Sequence, residues 1–115
     1  MNNHETSTVA DVLMHHLTVL KAGQLDEVML DYTSESVVMS PDQTFRGLAE
    51  IRAFFQSAIA GSAPEMLEVL AAVRQDIHGD VAYFTWKAEP FVKIGTDTFL
   101  IREGKIVTQT FLMVS

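Results

Sequence analysis

The 115-residue sequence predicts an α+β domain, and three observations predict it. Apolar residues of the first half recur at helical spacing, as Val9, Val12, Leu13, Leu17 and Leu20, and again as Leu48, Ile51, Phe55 and Ala58. From Met66 onward the pattern is that of strands, most plainly where Ala82, Phe84, Trp86 and Ala88 oppose Val81, Tyr83, Thr85 and Lys87. Turn signals at His78-Gly79-Asp80, at Pro90 with Gly95, and at Glu103-Gly104 cut that half into four strands. Three helices followed by a long antiparallel sheet bury one sheet face beneath the helices.

The first helix starts after Thr8, with Asp11 completing a capping box, and ends at Gly23, which suits a left-handed cap. His16 lies in its apolar stripe, either as a core histidine bonded to a carbonyl or as a polar group at the floor of a pocket. A buried imidazole is expected to have a hydrogen-bond partner. His15 points away from the stripe and is expected in solvent. A short second helix carries Leu25, Val28, Met29 and Tyr32 at i, i+3, i+4 and i+7. Ser36 to Ser40 is a strand that stops at Pro41, which has no N–H for a ladder. Asp42-Gln43 turns the chain, Thr44-Phe45-Arg46 returns extended, and Gly47 opens a helix from Leu48 to about Ala60 that Gly61-Ser62 and Pro64 end. The four later strands are Met66 to Ile77, Val81 to Glu89, Thr96 to Arg102 and Lys105 to Val114. Asp97, Phe99 and Ile101 share a face. In the last strand Val107, Gln109, Phe111 and Met113 oppose Ile106, Thr108, Thr110 and Leu112.

One domain is expected over residues 1–115. A net charge of −7, with no cluster of lysine and arginine, points away from nucleic acid and from anionic membranes. The absence of cysteine excludes disulfides, thiol catalysis and thiolate metal sites. The start, Met-Asn-Asn-His-Glu-Thr, lacks a basic region followed by an apolar run, so no signal peptide is expected and a cytoplasmic location is. Neither a metal nor a cofactor is expected: His4, His15, His16 and His78 show no ligand spacing, and no phosphate-binding loop or nucleophile elbow appears.

Four blocks carry a resemblance: Ala22-Gly23-Gln24-Leu25-Asp26; Asp31-Tyr32-Thr33-Ser34-Glu35-Ser36-Val37-Val38-Met39-Ser40-Pro41; Arg46-Gly47-Leu48-Ala49-Glu50-Ile51-Arg52-Ala53-Phe54-Phe55; and Asp97-Thr98-Phe99-Leu100-Ile101-Arg102-Glu103-Gly104-Lys105-Ile106. In their order and spacing the chain resembles a SnoaL-like domain of the nuclear transport factor two-like superfamily. The resemblance implies a strongly curved antiparallel sheet wrapped into a cone by three helices, with an internal pocket, and pairing of two copies through the sheet's outer face. It implies no single function, since the fold hosts isomerases, cyclases, dehydratases, epoxide hydrolases and non-catalytic binders. Against ketosteroid isomerases, the helix-one tyrosine falls at His16 and the base before the proline at Ser40, which argues against that activity. Asp97 resembles the late-strand acid/base aspartate of SnoaL-type cyclases. His16 with Asp97 resembles the His–Asp combination of fold-related dehydratases.

The expected site is therefore His16 and Asp97 as an acid/base pair, with Asp97 desolvated among apolar neighbours and His16 able to bond it. Trp86 supplies a flat wall, and Tyr32, Met39, Phe45, Phe84, Phe99, Gln109, Phe111 and Met113 complete the lining. A small apolar or aromatic ligand, in places carbonyl-bearing, would undergo an isomerase, cyclase or dehydratase step. The alternative is a non-catalytic ligand-binding or dimeric interaction module. Leu100, Ile106 and Leu112 are expected on the outer face, where a second copy would cover them.

Overall fold

The computed structural model describes residues 8–61 and 64–115. Helix α1, Val9–Lys21, opens with the expected capping box: the Thr8 hydroxyl accepts the Asp11 N–H at 3.0 Å, and the Thr8 N–H donates to the Asp11 carboxylate at 3.2 Å. It closes at Gly23, whose φ of 71° puts it in the left-handed region. There the Gly23 N–H donates to Leu20 and the Gln24 N–H to Val19, both at 2.9 Å, a Schellman ending that occupies two orphan carbonyls. The chain then forms α2, Leu25–Met29; β1, Val37–Met39; β2, Thr44–Arg46; and α3, Gly47–Gly61. Gly47 sits at φ 80° and donates its N–H to Ser36 at 2.9 Å, so the hairpin runs directly into the helix. The expected stop at Ser62 lies outside the described residues.

Four helices are present among the described residues, not three. Helix α4, Pro64–Glu68, occupies the start of what the sequence pattern presents as a strand from Met66. Proline at a first helical position loses no bond, because that N–H is an orphan in any helix. Met66, Leu67 and Leu70 stand at the spacing of one helical face, and the strand β3 begins only at Ala71.

The remaining strands are β3, Ala71–His78; β4, Val81–Ala88; β5, Val92–Arg102; and β6, Lys105–Val114. The sheet order is β2-β1-β6-β5-β4-β3. It is mixed and not wholly antiparallel, because β1 pairs parallel to β6. Among the described residues it curves but stays open, with β2 and β3 at its edges, so the cone is not a closed barrel. Three breaks in register, at Ala72/Arg74, Trp86/Ala88 and Leu100/Ile101, bend it. The last break corrects the expected outer face. Leu100 pairs with Thr108 but Ile101 pairs with Ile106, so Val107 is inserted and the strand's facing reverses. Ile106 is fully buried as a result, whereas Leu112 remains 48% exposed on the outer face. The bend at Trp86/Ala88 lets β5 start at Val92, four residues before the expected Thr96.

The core lies between the inner sheet face and α1, α2 and α3, with Leu13, Val28, Val38, Ile51, Phe84 and Phe99 at its centre. Among the described residues no helix is long and apolar enough to cross a membrane.

Candidate functional site

Three rows of cross-strand neighbours build the site on the inner face of β4, β5 and β6. Phe84, Asp97 and Phe111 form one row, Ala82, Phe99 and Gln109 the next, and Trp86, Gly95 and Met113 the third. Asp97 is thus flanked diagonally by Trp86 on one strand and Gln109 on the other, within reach of long side chains. Both reach it: the Trp86 indole N–H donates to Asp97 Oδ1 and the Gln109 amide to Asp97 Oδ2, each at 2.9 Å. Behind Gln109, the Tyr32 hydroxyl donates to Gln109 Oε1, which leaves the amide nitrogen to face the carboxylate.

Gly95 makes this arrangement possible. A Cβ built there would lie 2.2 Å from Trp86 Cε2 and 2.6 Å from Nε1, so the indole rests on bare backbone. The sequence presents Gly95 as a loop signal; its role is to seat the ring that holds Asp97.

Above this face lies a cavity of about 660 Å³, of the size that binds small molecules. Helix α1 contributes His16, Leu17 and Leu20, α3 contributes Phe54, Phe55 and Ala58, and α4 with the following turn contributes Met66, Leu67 and Leu70. Of the residues expected in the lining, Phe84, Trp86, Asp97, Gln109, Phe111 and Met113 border it. Four expected lining residues do not. Met39 is exposed on the short edge hairpin. Phe45 packs on Phe54, ring centroids 4.7 Å apart. Phe99 lies beneath His16 at 5.5 Å, and Tyr32 stands behind Gln109. Phe54, Phe91 and Val92 border the cavity and were not anticipated, because the α3 stripe is centred on Phe55 and the break in β4–β5 register is not legible in the sequence.

Burial pushes the Asp97 carboxyl up to about 6, against the downward pull of the bonds from Trp86 and then Gln109. No cation bonds it among the described residues. A carboxyl so placed changes charge near neutral pH. His16 is 1% exposed, and burial holds its imidazole neutral down to about 4, with the neighbouring His15 adding to the effect. Both residues border the one cavity, but no hydrogen bond joins them. The expected partner for His16 Nδ1 is also missing among the described residues: this nitrogen is enclosed and makes no hydrogen bond with any of them. The rings of Tyr32, Phe55 and Phe99 surround it edge to face.

His15 departs from the solvated position expected for it. Its Nδ1 lies 2.9 Å from both oxygens of the buried Asp31, and its Nε2 lies 3.4 Å from Glu27. That bond raises the His15 pKa, while burial raises Asp31 more than His15 lowers it. Among the described residues no group of three histidine, cysteine, aspartate or glutamate side chains gathers as a metal site would.

No family model matches the sequence, and no curated protein matches it significantly. Solved structures do. An NTF2-like protein of unknown function from Burkholderia xenovorans LB400 superposes with a TM-score of 0.76 at 16% identity, over 99% of this chain and 88% of that one. A SnoaL-like protein of unknown function from Burkholderia thailandensis E264 gives 0.76 at 11% identity, over 93% and 94%. TerC, co-crystallised with polyporic acid, gives 0.71 at 12% identity, over 91% and 90%. At such identities the likeness is one of fold. The fold of this chain is that of the NTF2-like proteins, the SnoaL-like proteins among them.

Proposed function

We propose that the chain binds a small apolar or aromatic molecule in this cavity and that Asp97 moves a proton on it, in an isomerase, cyclase or dehydratase-type step. The observation that carries this reading is a carboxyl poised at about 6 on the wall of a largely apolar cavity. Near neutral pH the Asp97 carboxylate, oriented by Trp86 and Gln109, accepts a proton from a carbon beside a ligand carbonyl. It then returns the proton to another atom of the same ligand, so no co-reactant is consumed. In a dehydration the returned proton goes to the departing hydroxyl, which leaves as water. A fold relative co-crystallised with polyporic acid supports an aromatic occupant.

The second reading, a binding module without chemistry, draws on one observation: His16 does not bond Asp97, so no preassembled pair is present. Two measurements on one probe separate the readings. 2-Tetralone is an apolar aromatic ketone with exchangeable protons beside its carbonyl. Its binding is followed by calorimetry, and its loss of those protons to D2O by NMR. The catalytic reading expects exchange faster than in buffer, rising with pH through about 6, and lost by at least about tenfold in Asp97→Asn while binding persists. Binding without accelerated exchange leaves the module reading. No binding of apolar aromatic probes refutes both. Pairing of two copies through the outer face, which would cover Val81 and Leu112, is part of either reading.

A further inference from the structure

His16 raises a question that the Asp97 chemistry leaves open: which of its ring nitrogens carries the proton. The ring is buried and neutral, so it has one N–H and one lone pair. Nδ1 is enclosed and makes no hydrogen bond among the described residues. The group it faces is Asp31, with Oδ2 at 4.0 Å, too far for a hydrogen bond and close enough for strong electrostatics inside a protein. Around the rest of the ring lie Tyr32, Phe55 and Phe99, in edge-to-face contact. Asp31 is itself fixed. His15 clamps both its oxygens at 2.9 Å, and Glu27 on α2 and Lys105 on β6 are the other charged groups whose fields reach it.

With the proton on Nε2, the Nδ1 lone pair would point toward a carboxylate, acceptor against acceptor. With the proton on Nδ1, the N–H dipole points toward that carboxylate and is attracted. We propose that Asp31 is a positioning residue that holds the His16 proton on Nδ1, so that His16 presents the Nε2 lone pair to the cavity as an acceptor for a hydroxyl donor of the ligand. This rests on the cavity being a ligand site and narrows the ligand class to an apolar body that carries a hydroxyl. The ligand would meet two walls, His16 from the helical side and Asp97 from the sheet. Asp31 stays out of the cavity and acts only through His16.

The tautomer is read directly from the side-chain nitrogen resonances of the full chain, labelled with 15N, at neutral pH and without ligand. Four histidines contribute, and His16→Gln identifies the one that matters. The expected result is a protonated Nδ1 and an unprotonated Nε2, the reverse of the commoner tautomer of histidine in water. In Asp31→Leu, of similar shape but without an acceptor, the proton is expected to return to Nε2. A His16 with its proton on Nε2 in the natural chain overturns the proposal, and so does an Asp31→Leu chain that keeps it on Nδ1. If Asp31→Leu does not fold, the natural chain's spectrum decides alone. For the ligand, 2-naphthol is expected to bind roughly tenfold more tightly than 2-methoxynaphthalene, about one hydrogen bond's worth. Equal affinities overturn the hydroxyl assignment. If neither probe binds, the cavity reading fails and takes the ligand half of this inference with it, while the nitrogen spectrum still judges the positioning half.

Discussion

Replacing Asp97 with asparagine is expected to stabilise the fold, and to do so only where the carboxyl would be ionised. The native carboxyl titrates at about 6, against 3.8 for the ordinary group. Between those values the native state holds a proton that the unfolded chain has released. Stability therefore falls as pH rises through that window, and the full cost stands above it. At about 1.36 kcal/mol for each unit, the ionised Asp97 costs roughly 3 kcal/mol near pH 8 and almost nothing near pH 4. Asparagine does not ionise and keeps the shape. Its carbonyl still accepts from the Trp86 indole. Its amide would meet the Gln109 amide, donor against donor, unless Gln109 turns over. The Tyr32 hydroxyl permits that turn, because it accepts as readily as it donates. Weaker neutral hydrogen bonds reduce the gain, so about 2 kcal/mol is expected near pH 8, shrinking to nothing near pH 4. Urea denaturation followed by tryptophan emission measures it, and Trp86 is the only tryptophan, so the signal comes from the site itself. A gain that is the same at both pH values, or a loss at the higher one, would refute the assignment of a strained buried carboxylate.

Two further outcomes follow from the same geometry. His16→Leu is expected to gain on the natural chain as pH falls. The buried imidazole titrates at about 4 in the fold and 6.5 outside it, so His16 costs roughly 3 kcal/mol as pH falls across that window, opposing the gain that protonation of Asp97 brings there, and the variant is spared that cost; parallel denaturation series of both chains at several pH values check this. Gly95→Ala forces a methyl to within 2.2 Å of the Trp86 ring, so it is expected to cost about 1–3 kcal/mol and to shift the tryptophan emission to the red as the indole leaves Asp97; an unchanged emission maximum would show that the ring is not seated on Gly95.

The sequence carried the helices well where local chemistry decides them. Thr8 with Asp11, and Gly23 at its left-handed φ, are signals a reader can place without a structure. It also carried the facing of β4 and the core of β5, because period two holds there apart from the buried Thr85. It failed where one residue changes the count. The inserted Val107 turned Ile106 from an outer residue into a core one, and nothing local marks that position. Pro64 reads as a stop and proves to be a start, because the same residue serves both purposes. The parallel pairing of β1 with β6 joins segments about seventy residues apart, beyond any local pattern. For the site, Asp97 and Trp86 were legible as polar and aromatic members of an inward face. The importance of His15 and Asp31 was not, because their meeting depends on how α2 returns across α1.

The features that look like errors of packing gather around one cavity. A core chosen for stability alone would hold no ionisable carboxyl that burial drives up to about 6, and would leave no histidine nitrogen enclosed without a partner. Each lowers stability by an amount that a single apolar substitution would restore. A hydrogen-bonded chain from Tyr32 through Gln109 to Asp97 then spends two buried side chains on fixing one of these groups in place, and Gly95 gives up a side chain so that the indole can hold its other oxygen. The rest of the inner face shows no such pattern: Ala82, Phe99, Ile101 and Ile106 are apolar and closely buried. Costs gathered at a cavity wall, on residues from α1, β4, β5 and β6 that approach only in the folded chain, and at Asp31 behind His16, fit a binding or proton-transfer site better than a filled core. The expected gain in Asp97→Asn therefore tests more than one side chain. It measures what the fold gives up to keep a titratable group in that cavity.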